Sequence, residues 1–154
     1  MDSTHPPVRV GLDADMQLFK AIVEQTPDAI IFADCDGLIQ VWNRGAEAVF
    51  GFSAAEVIGC SLDVIIPERF RRAHWEAFRQ AIASGRTQHG DHVRTTRATH
   101  KAGHRLYVDI SFGLVTGAAG SVIGSVAVGR DCSARYLSEK ALRDRLAELE
   151  RKAP

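Results

Sequence analysis

Three consecutive β-rich segments in the second half of the chain constrain the fold most. They read DHVRTTRAT at 91–99, RLYVDISFGLV at 105–115 and SVIGSVAVGRD at 121–131. Branched and aromatic residues enriched in this way predict strands. The connections HKAG at 100–103 and TGAAG at 116–120 join them. The second half of the chain is therefore predicted to form consecutive antiparallel strands.

An earlier pair of strands is predicted before a cluster of helices. AIIFAD at 29–34 and LIQVW at 38–42 flank DCDG, in which Asp34 and Asp36 are turn formers. Strands at both ends of the chain, with helices between them, predict one antiparallel sheet with the helices packed on one face. The predicted fold class is α+β.

Helix boundaries are marked by capping residues. Met16, Phe19, Ile22 and Val23 recur at helical spacing before the first strand. After the hairpin, Asn43 and Gly51 bracket one short helix, and Ser53 with Glu56 has the spacing of a capping box. Pro67 and Gly85 are typical of the start and end of a longer helix over 67–84.

The chain is predicted to hold one domain with two tails. Residues 1–13 carry prolines and charges without periodicity and are expected to form a flexible arm, and the domain spans 14–132. Residues 133–154 are predicted to form a charged signalling helix with a narrow apolar stripe of Leu142, Leu146 and Leu149. An apolar stripe this narrow indicates that the helix packs against a partner helix and not against its own domain.

Composition argues against several functions. Nineteen basic residues balance nineteen acidic ones, so neither nucleic acid nor an anionic membrane is attracted. No apolar run reaches the ~20 residues of a membrane span, and the start lacks a secretory signal, which predicts a cytoplasmic protein. Cys35, Cys60 and Cys132 are isolated and are interpreted as free thiols. Recognisable catalytic motifs are missing, so we do not expect an enzyme.

Five segments follow one another along the chain: PDAIIFADCDGLIQVWN, GAEAVFGFSAAEVIG, IIP, HKAG and VGRD. Taken together in this order, they resemble the PAS sensor family, also called S-box, over about residues 16–135. The resemblance implies a five-stranded antiparallel sheet and short helices that enclose a cavity for haem, flavin, a small metabolite or nothing, with a C-terminal signalling helix. It also implies a structural pair between Glu56 and Lys101. Leu62 occupies the place of the reactive cysteine of flavin photoreceptors, which argues against that subgroup.

The long helix resembles that of haem-binding PAS sensors of the FixL and Dos types. IPERFRRAHWEAF places His74 seven residues after Pro67, where those sensors carry their iron ligand. The resemblance implies b-type haem, with Arg94 over its other face and His92 at the place of a second axial ligand. A diatomic gas or a redox change would be the signal, reported through a homodimer or a kinase or regulator partner.

Residue spacing is compatible with this site. Phe70, His74, Phe78 and Ala81 share a helical face that is expected to point at the sheet, with Trp75 offset from it. His92 and Arg94 are two apart on a predicted strand and would share a face. A neutral imidazole is a good axial ligand for haem iron. The aromatic residues expected in the core are Phe32, Trp42, Phe50, Phe52 and Phe112.

Other interpretations remain open at this point. The domain could be a cofactor-free module for dimerisation or partner docking, or it could bind a small metabolite. His74 would then only cap or pack, and Arg94 would belong to a solvated charged face. His89, His92, His100 and His104 also suggest a metal site, although no carboxylate or cysteine is spaced to complete a zinc set.

Overall fold

The structure is a computed structural model that describes residues 11–88, 90 and 92–152. The helices are α1 (Leu12–Gln25), α2 (Arg44–Phe50), α3 (Ala54–Val57), α4 (Glu68–Ser84) and α5 (Ser133–Lys152), with a 3₁₀ turn at Leu62–Val64. The strands are β1 (Ala29–Asp34), β2 (Ile39–Trp42), β3 (Arg94–Thr99), β4 (Arg105–Thr116) and β5 (Val122–Asp131).

The strands form one antiparallel sheet in the order β2-β1-β5-β4-β3. Three pairs are hairpins, β1 with β2, β3 with β4 and β4 with β5, while β1 pairs with β5 and brings the two ends of the domain together. The prediction of a single antiparallel sheet is confirmed. Among the described residues, no helix is long and apolar enough to cross a membrane.

One face of the sheet, here called the inner face, carries the core. Val108 and Ile110 of β4, Ile31 of β1 and Phe50 of α2 belong to one buried cluster, which also includes Phe78 of α4. The three middle helices therefore cover this face. On the opposite, outer face, Tyr107 of β4 stacks on Tyr136 of α5, with ring centroids 3.9 Å apart.

The predicted caps are present. The Asn43 side chain accepts a hydrogen bond from the amide of Ala46, and Ser53 and Glu56 form the capping box. Gly85 ends α4 at φ +68°, a left-handed conformation that costs glycine little. Pro67 directly precedes α4.

Two boundaries differ from the sequence prediction. Helix α1 begins at Leu12, so the predicted arm of 1–13 is too long by two residues; residues 1–10 lie outside the described part. Strand β3 begins at Arg94 and excludes the first residues of the predicted run from 91.

Helix α1 is attached to the domain mainly through its C-terminal end. It has no buried residue, and Leu12, Met16 and Phe19 are exposed. The fully buried Asn43 amide donates to the carbonyl oxygens of Val23 at 2.8 Å and of Asp28 at 3.0 Å. Its Oδ1 atom accepts from the amide of Ile30 at 2.8 Å. One side chain thus connects α1, β1 and α2.

Candidate ligand-binding face between the long helix and the sheet

Helix α4 turns a different face to the sheet from the one that spacing predicts. Phe78 is buried and His74 is half-buried, as expected, but Phe70 is 38% exposed. The guanidinium of Arg69 lies 4.4 Å from the centroid of the Phe70 ring, on the surface of the helix. The prediction that Phe70 belongs to the inward stripe is therefore wrong, because α4 is rotated toward Trp75.

Trp75 packs against the core and fixes this rotation. Its indole Nε1 donates to Oδ1 of Asp63 at 2.8 Å, and its ring lies over Gly37 in the turn between β1 and β2. Arg71 reinforces the contact by donating to the carbonyl oxygens of Ile66 and Asp63, each at 3.1 Å. The expectation that Trp75 is offset from the inward stripe is incorrect.

His74 packs against two aromatic rings. Its imidazole meets the Trp75 ring edge to face at 4.9 Å between centroids, and the Phe78 ring lies 6.0 Å away. The buried Nδ1 atom has no hydrogen-bond partner in the described structure. Burial lowers the pKa of His74 below its ordinary 6.5, and the carboxylate of Asp63 opposes this only in part. His74 is thus a half-buried imidazole with one buried, unpaired ring nitrogen, and its surroundings favour the neutral form.

Strand register places Arg94 on the inner face. Arg94 is paired with Ile110, and Ile110 with Gly129, so these residues point to the same side of the sheet. Arg94 is nevertheless exposed. The strand register is compatible with the predicted position of Arg94, on the side of the sheet that the helices cover.

Phe112 follows Ile110 on the same side of β4, opposite Ala127. It is 44% exposed, although Val108 and Ile110 are buried. The prediction of Phe112 as a core residue is wrong: the helices cover the inner face beside Ile110 and leave it uncovered beside Phe112. The other predicted core aromatics are buried or half-buried. This open stretch of the inner face, with Arg94 and Phe112, is called here the open inner face.

His92 lies before β3 and is exposed. The prediction that His92 and Arg94 share a face of one strand is therefore wrong, since only Arg94 belongs to the strand. A role for His92 as a second axial ligand stays a prediction.

The remaining histidines do not assemble into a metal site. The imidazoles of His100 and His104 stack at 4.2 Å between centroids, and the His100 ring also lies against Gly51. Among residues 11–88, 90 and 92–152, no group of three or more histidine, cysteine, aspartate or glutamate side chains could hold a metal ion. His89 lies outside those residues.

Two surface depressions lie away from His74. One, of about 350 Å³, is lined by Asp13, Met16, Gln17 and Lys20 of α1. The other, of about 470 Å³, lies between the end of α1 and α2 and includes Glu24, Pro27 and Arg44. Both are open to solvent, and only the second lies where α1 is attached to the domain.

The structural pair implied by the resemblance is present. The ammonium group of Lys101 forms an ion pair with the carboxylate of Glu56. The Lys101 bond, followed by the bonds from Ser53, lowers the pKa of Glu56 from 4.5 to about 2. The pair ties the turn between β3 and β4 to α3.

Strand β4 also holds the first turn of α5. Arg135 forms an ion pair with Asp109, and the hydroxyl of Ser133 accepts from the amide of Tyr107 at 2.9 Å. Cys132 is buried at the start of this connection, whereas Cys35 and Cys60 are exposed free thiols.

Asp63, which binds Trp75, and Asn43, which binds the end of α1, help to position the site but were not predicted to do so from the sequence. Asp63 gives no local signal of its contact with Trp75, twelve residues later. Asn43 was recognised as a helix cap, but its bonds to Val23 and Asp28 depend on the packing of α1, which the cap pattern does not encode.

Curated relatives match parts of this chain. Sensor protein FixL of Bradyrhizobium diazoefficiens is 38% identical over 55 residues, which are 36% of this chain and 11% of the relative. Oxygen sensor protein DosP of Escherichia coli is 27% identical over 130 residues, 84% of this chain and 16% of the relative. The chain thus spans less than a fifth of the length of either protein.

Solved structures share the fold at low identity. The PAS domain of a Colwellia psychrerythraea protein has a TM-score of 0.66 at 21% identity, with 76% of this chain and 96% of that chain covered. An RNA-binding light-oxygen-voltage receptor has a TM-score of 0.73, also at 21% identity, with 96% of this chain and 42% of that chain covered. The family model described as PAS fold matches residues 17–132. The chain therefore belongs to the PAS family of sensory domains.

Proposed function

We propose that this PAS domain binds b-type haem between α4 and the open inner face, with His74 as the axial ligand, and that it senses a diatomic gas or a redox change. The observation that carries the proposal is the buried Nδ1 atom of the half-buried His74 ring, which has no hydrogen-bond partner among the described residues. An unpaired buried polar atom is costly, and coordination of that nitrogen to the iron would offset the cost.

The chain offers surroundings that suit a flat apolar ligand. Phe78 and Trp75 flank His74, and Phe112 exposes an aromatic ring on the sheet side. Arg94 supplies a cation on the same side of the sheet, suited to a propionate or to a polar ligand of the iron. The similarity to FixL and DosP, a sensor protein and an oxygen sensor protein, supports the same choice.

In this proposal each residue has a distinct task. Haem iron would supply reversible binding of a diatomic gas or a one-electron redox change. Trp75 and Phe78 hold the His74 ring and exclude water from it, and Arg94 provides a hydrogen-bond donor. The change is passed through β4 to α5, where a second copy of the chain or a kinase or regulator would respond.

The test is an absorption titration of the purified protein with haemin. We expect a Soret band at one equivalent in the wild type and its loss or strong weakening in His74→Ala. His104→Ala is the matched control, because this exposed histidine should leave the spectrum unchanged. Substitution of His92 by alanine tests the second ligand, with a change from six- to five-coordinate spectrum expected.

A wild-type protein that stays colourless with excess haemin would contradict haem binding. The domain would then be a cofactor-free or metabolite-binding module, and a thermal-shift screen with small organic ligands would separate these two.

A further inference from the structure

Strand β3 forms one edge of the sheet, and only part of that edge is occupied. Among the residues that the structure describes, β3 pairs with β4 alone. At its C-terminal end the amide of Thr99 donates to the carbonyl oxygen of Ile65 at 2.9 Å, so this end of the edge is covered. An uncovered edge presents unpaired backbone groups to any extended segment that can pair with them. The stretch before Thr99 is therefore the part of the edge at which a partner can add.

The hydrogen-bond pattern identifies the backbone groups of β3 that face outward. In an antiparallel pair, residues alternate between those that bond to the neighbouring strand and those that point away from it. The amide of His100 donates to the carbonyl oxygen of His104, across the turn to β4, whereas the amide of Thr99 points away from β4. By this alternation, the backbone groups of Thr95 and Arg97 also point away from β4. Outside the strand ladder, neither residue has a backbone hydrogen bond within the described chain.

The side chains along this edge carry positive charge without a counter-ion. The arginines of β3 and β4 are Arg94, Arg97 and Arg105, and none of them forms an ion pair within the part of the chain that the structure describes. The one carboxylate on these two strands, Asp109, is already bound to Arg135. Charged side chains on an edge keep most other strands away, and a strand of opposite charge is the exception.

Arg97 is the side chain that an added strand meets. It lies opposite Tyr107 and therefore on the outer face, where Tyr107 stacks on Tyr136. Arg97 is half-buried, and its buried Nε atom has no hydrogen-bond partner among the described residues. Residues directly opposite on neighbouring strands have β-carbons about 5 Å apart, so a carboxylate opposite Arg97 is within reach of its guanidinium.

We infer that β3 binds an extended, acidic segment of a partner protein, which adds antiparallel to the edge beside residues 95–97 and places a carboxylate opposite Arg97. Carboxylates on alternate residues of such a segment all lie on the outer face of the sheet. A second copy of β3 is a poor occupant, because its sequence RTTRAT contains no acidic residue. The inference involves neither His74 nor haem, so it and the proposed function fail separately.

Amide hydrogen exchange, followed by NMR, tests the location. The probe is a short synthetic peptide of alternating glutamate and valine, and a peptide of alternating lysine and valine is its matched control. The glutamate peptide should slow exchange of the Thr95 and Arg97 amides at least about fivefold, because they become hydrogen-bonded. The amide of Thr96, which points to β4, should change little, and the lysine peptide should leave all three unchanged. No protection with the glutamate peptide, or protection of Thr95 and Arg97 before any peptide is added, overturns the inference.

Methylation of the peptide backbone separates strand addition from simple charge attraction. In an antiparallel strand, the glutamate opposite Arg97 turns its own N–H and C=O groups toward β3, and the valines turn theirs away. N-methylation of the glutamates should therefore abolish binding, whereas N-methylation of the valines should leave it intact. Equal binding of the two methylated peptides overturns strand addition, and the reverse order overturns the antiparallel orientation.

Charge reversal tests the role of Arg97, with fluorescence anisotropy of the labelled glutamate peptide as the measurement. Arg97→Glu should weaken binding about tenfold, because an attractive cross-strand pair becomes repulsive. Arg143→Glu is the matched control, since it makes the same charge change on an exposed residue of α5, and it should alter binding by less than about twofold. Equal weakening by the two substitutions contradicts a direct pair with Arg97.

Discussion

The indole ring of Trp75 lies over the α-carbon of Gly37, in the turn between β1 and β2, so the long helix and this hairpin are in direct contact. A methyl group on Gly37 would overlap the ring, and Gly37 has φ +79°. Asp63 holds the same ring through its carboxylate. The position of His74, one residue before Trp75, therefore depends on a glycine far away in sequence.

Substitution of Gly37 by alanine should lower the free energy of unfolding by about 3 kcal/mol, from backbone strain and overlap with Trp75 together. Gly59→Ala is a matched control, because Gly59 has φ +81° but no atom within 4 Å of the position of an added methyl. It should cost about 1 kcal/mol. Equal losses in chemical denaturation would show that the Trp75 contact adds nothing.

Replacement of His74 by leucine should stabilise the haem-free protein by about 1 kcal/mol, because it removes a buried polar atom without a partner. Most substitutions in a core destabilise, so the sign is diagnostic. His104→Leu, on an exposed side chain, should change stability by less than about 0.5 kcal/mol. Urea denaturation of both variants measures the difference, and a destabilised His74→Leu would indicate a bond that His74 makes in the folded protein.

The ion pair of Glu56 and Lys101 should make stability depend on pH in a defined window. The folded pKa of Glu56 is about 2 against an ordinary 4.5, so its contribution is complete above pH 4.5 and is lost as the pH falls toward 2. Lys101→Ala should therefore melt at a lower temperature than the wild type at pH 7, and the two should converge in acid. A gap in melting temperature that is constant from pH 7 to pH 3 would contradict this origin.

Substitution of Asn43 should separate the attachment of α1 from the capping of α2. Asn43→Ala removes all bonds of a fully buried amide and should cost about 3 kcal/mol. Asn43→Asp keeps the acceptor for Ile30 and Ala46 but loses the donor to Val23. Hydrogen exchange should then rise in α1 for both variants, and in α2 only for Asn43→Ala. Unchanged exchange in α1 would mean that another contact holds it.

The sequence predicts the elements well because their signals are local. Caps at Asn43, Ser53 and Gly85, strand composition and short connections each depend on neighbouring residues. The ion pair of Glu56 and Lys101, 45 residues apart, came only from the family resemblance.

The rotation of α4 was not predictable in the same way. Helical spacing groups Phe70 with His74 and Phe78, but Trp75 lies only about 60° beyond Phe78 around the helix, so a rotation of roughly 50° exchanges Phe70 for Trp75. Asp63 and Gly37 decide that rotation, through contacts that no periodicity reveals. Likewise the exposure of Phe112 depends on how far the helices extend over the sheet.

Phe112 of β4 lies on the inner side of the sheet, and Tyr107 and Asp109 of the same strand lie on the outer side. Tyr107 stacks on Tyr136 of α5, and Asp109 forms an ion pair with Arg135 of α5. The open inner face and the first turn of α5 therefore lie on opposite sides of the same strand. Helix α5 has 20 residues and is about 30 Å long, so it acts as a lever arm. A tilt of about 5° at its start would displace its far end by about 2.6 Å over that length, so under the proposed function a sub-ångström motion of β4 would become a larger one at the end of α5.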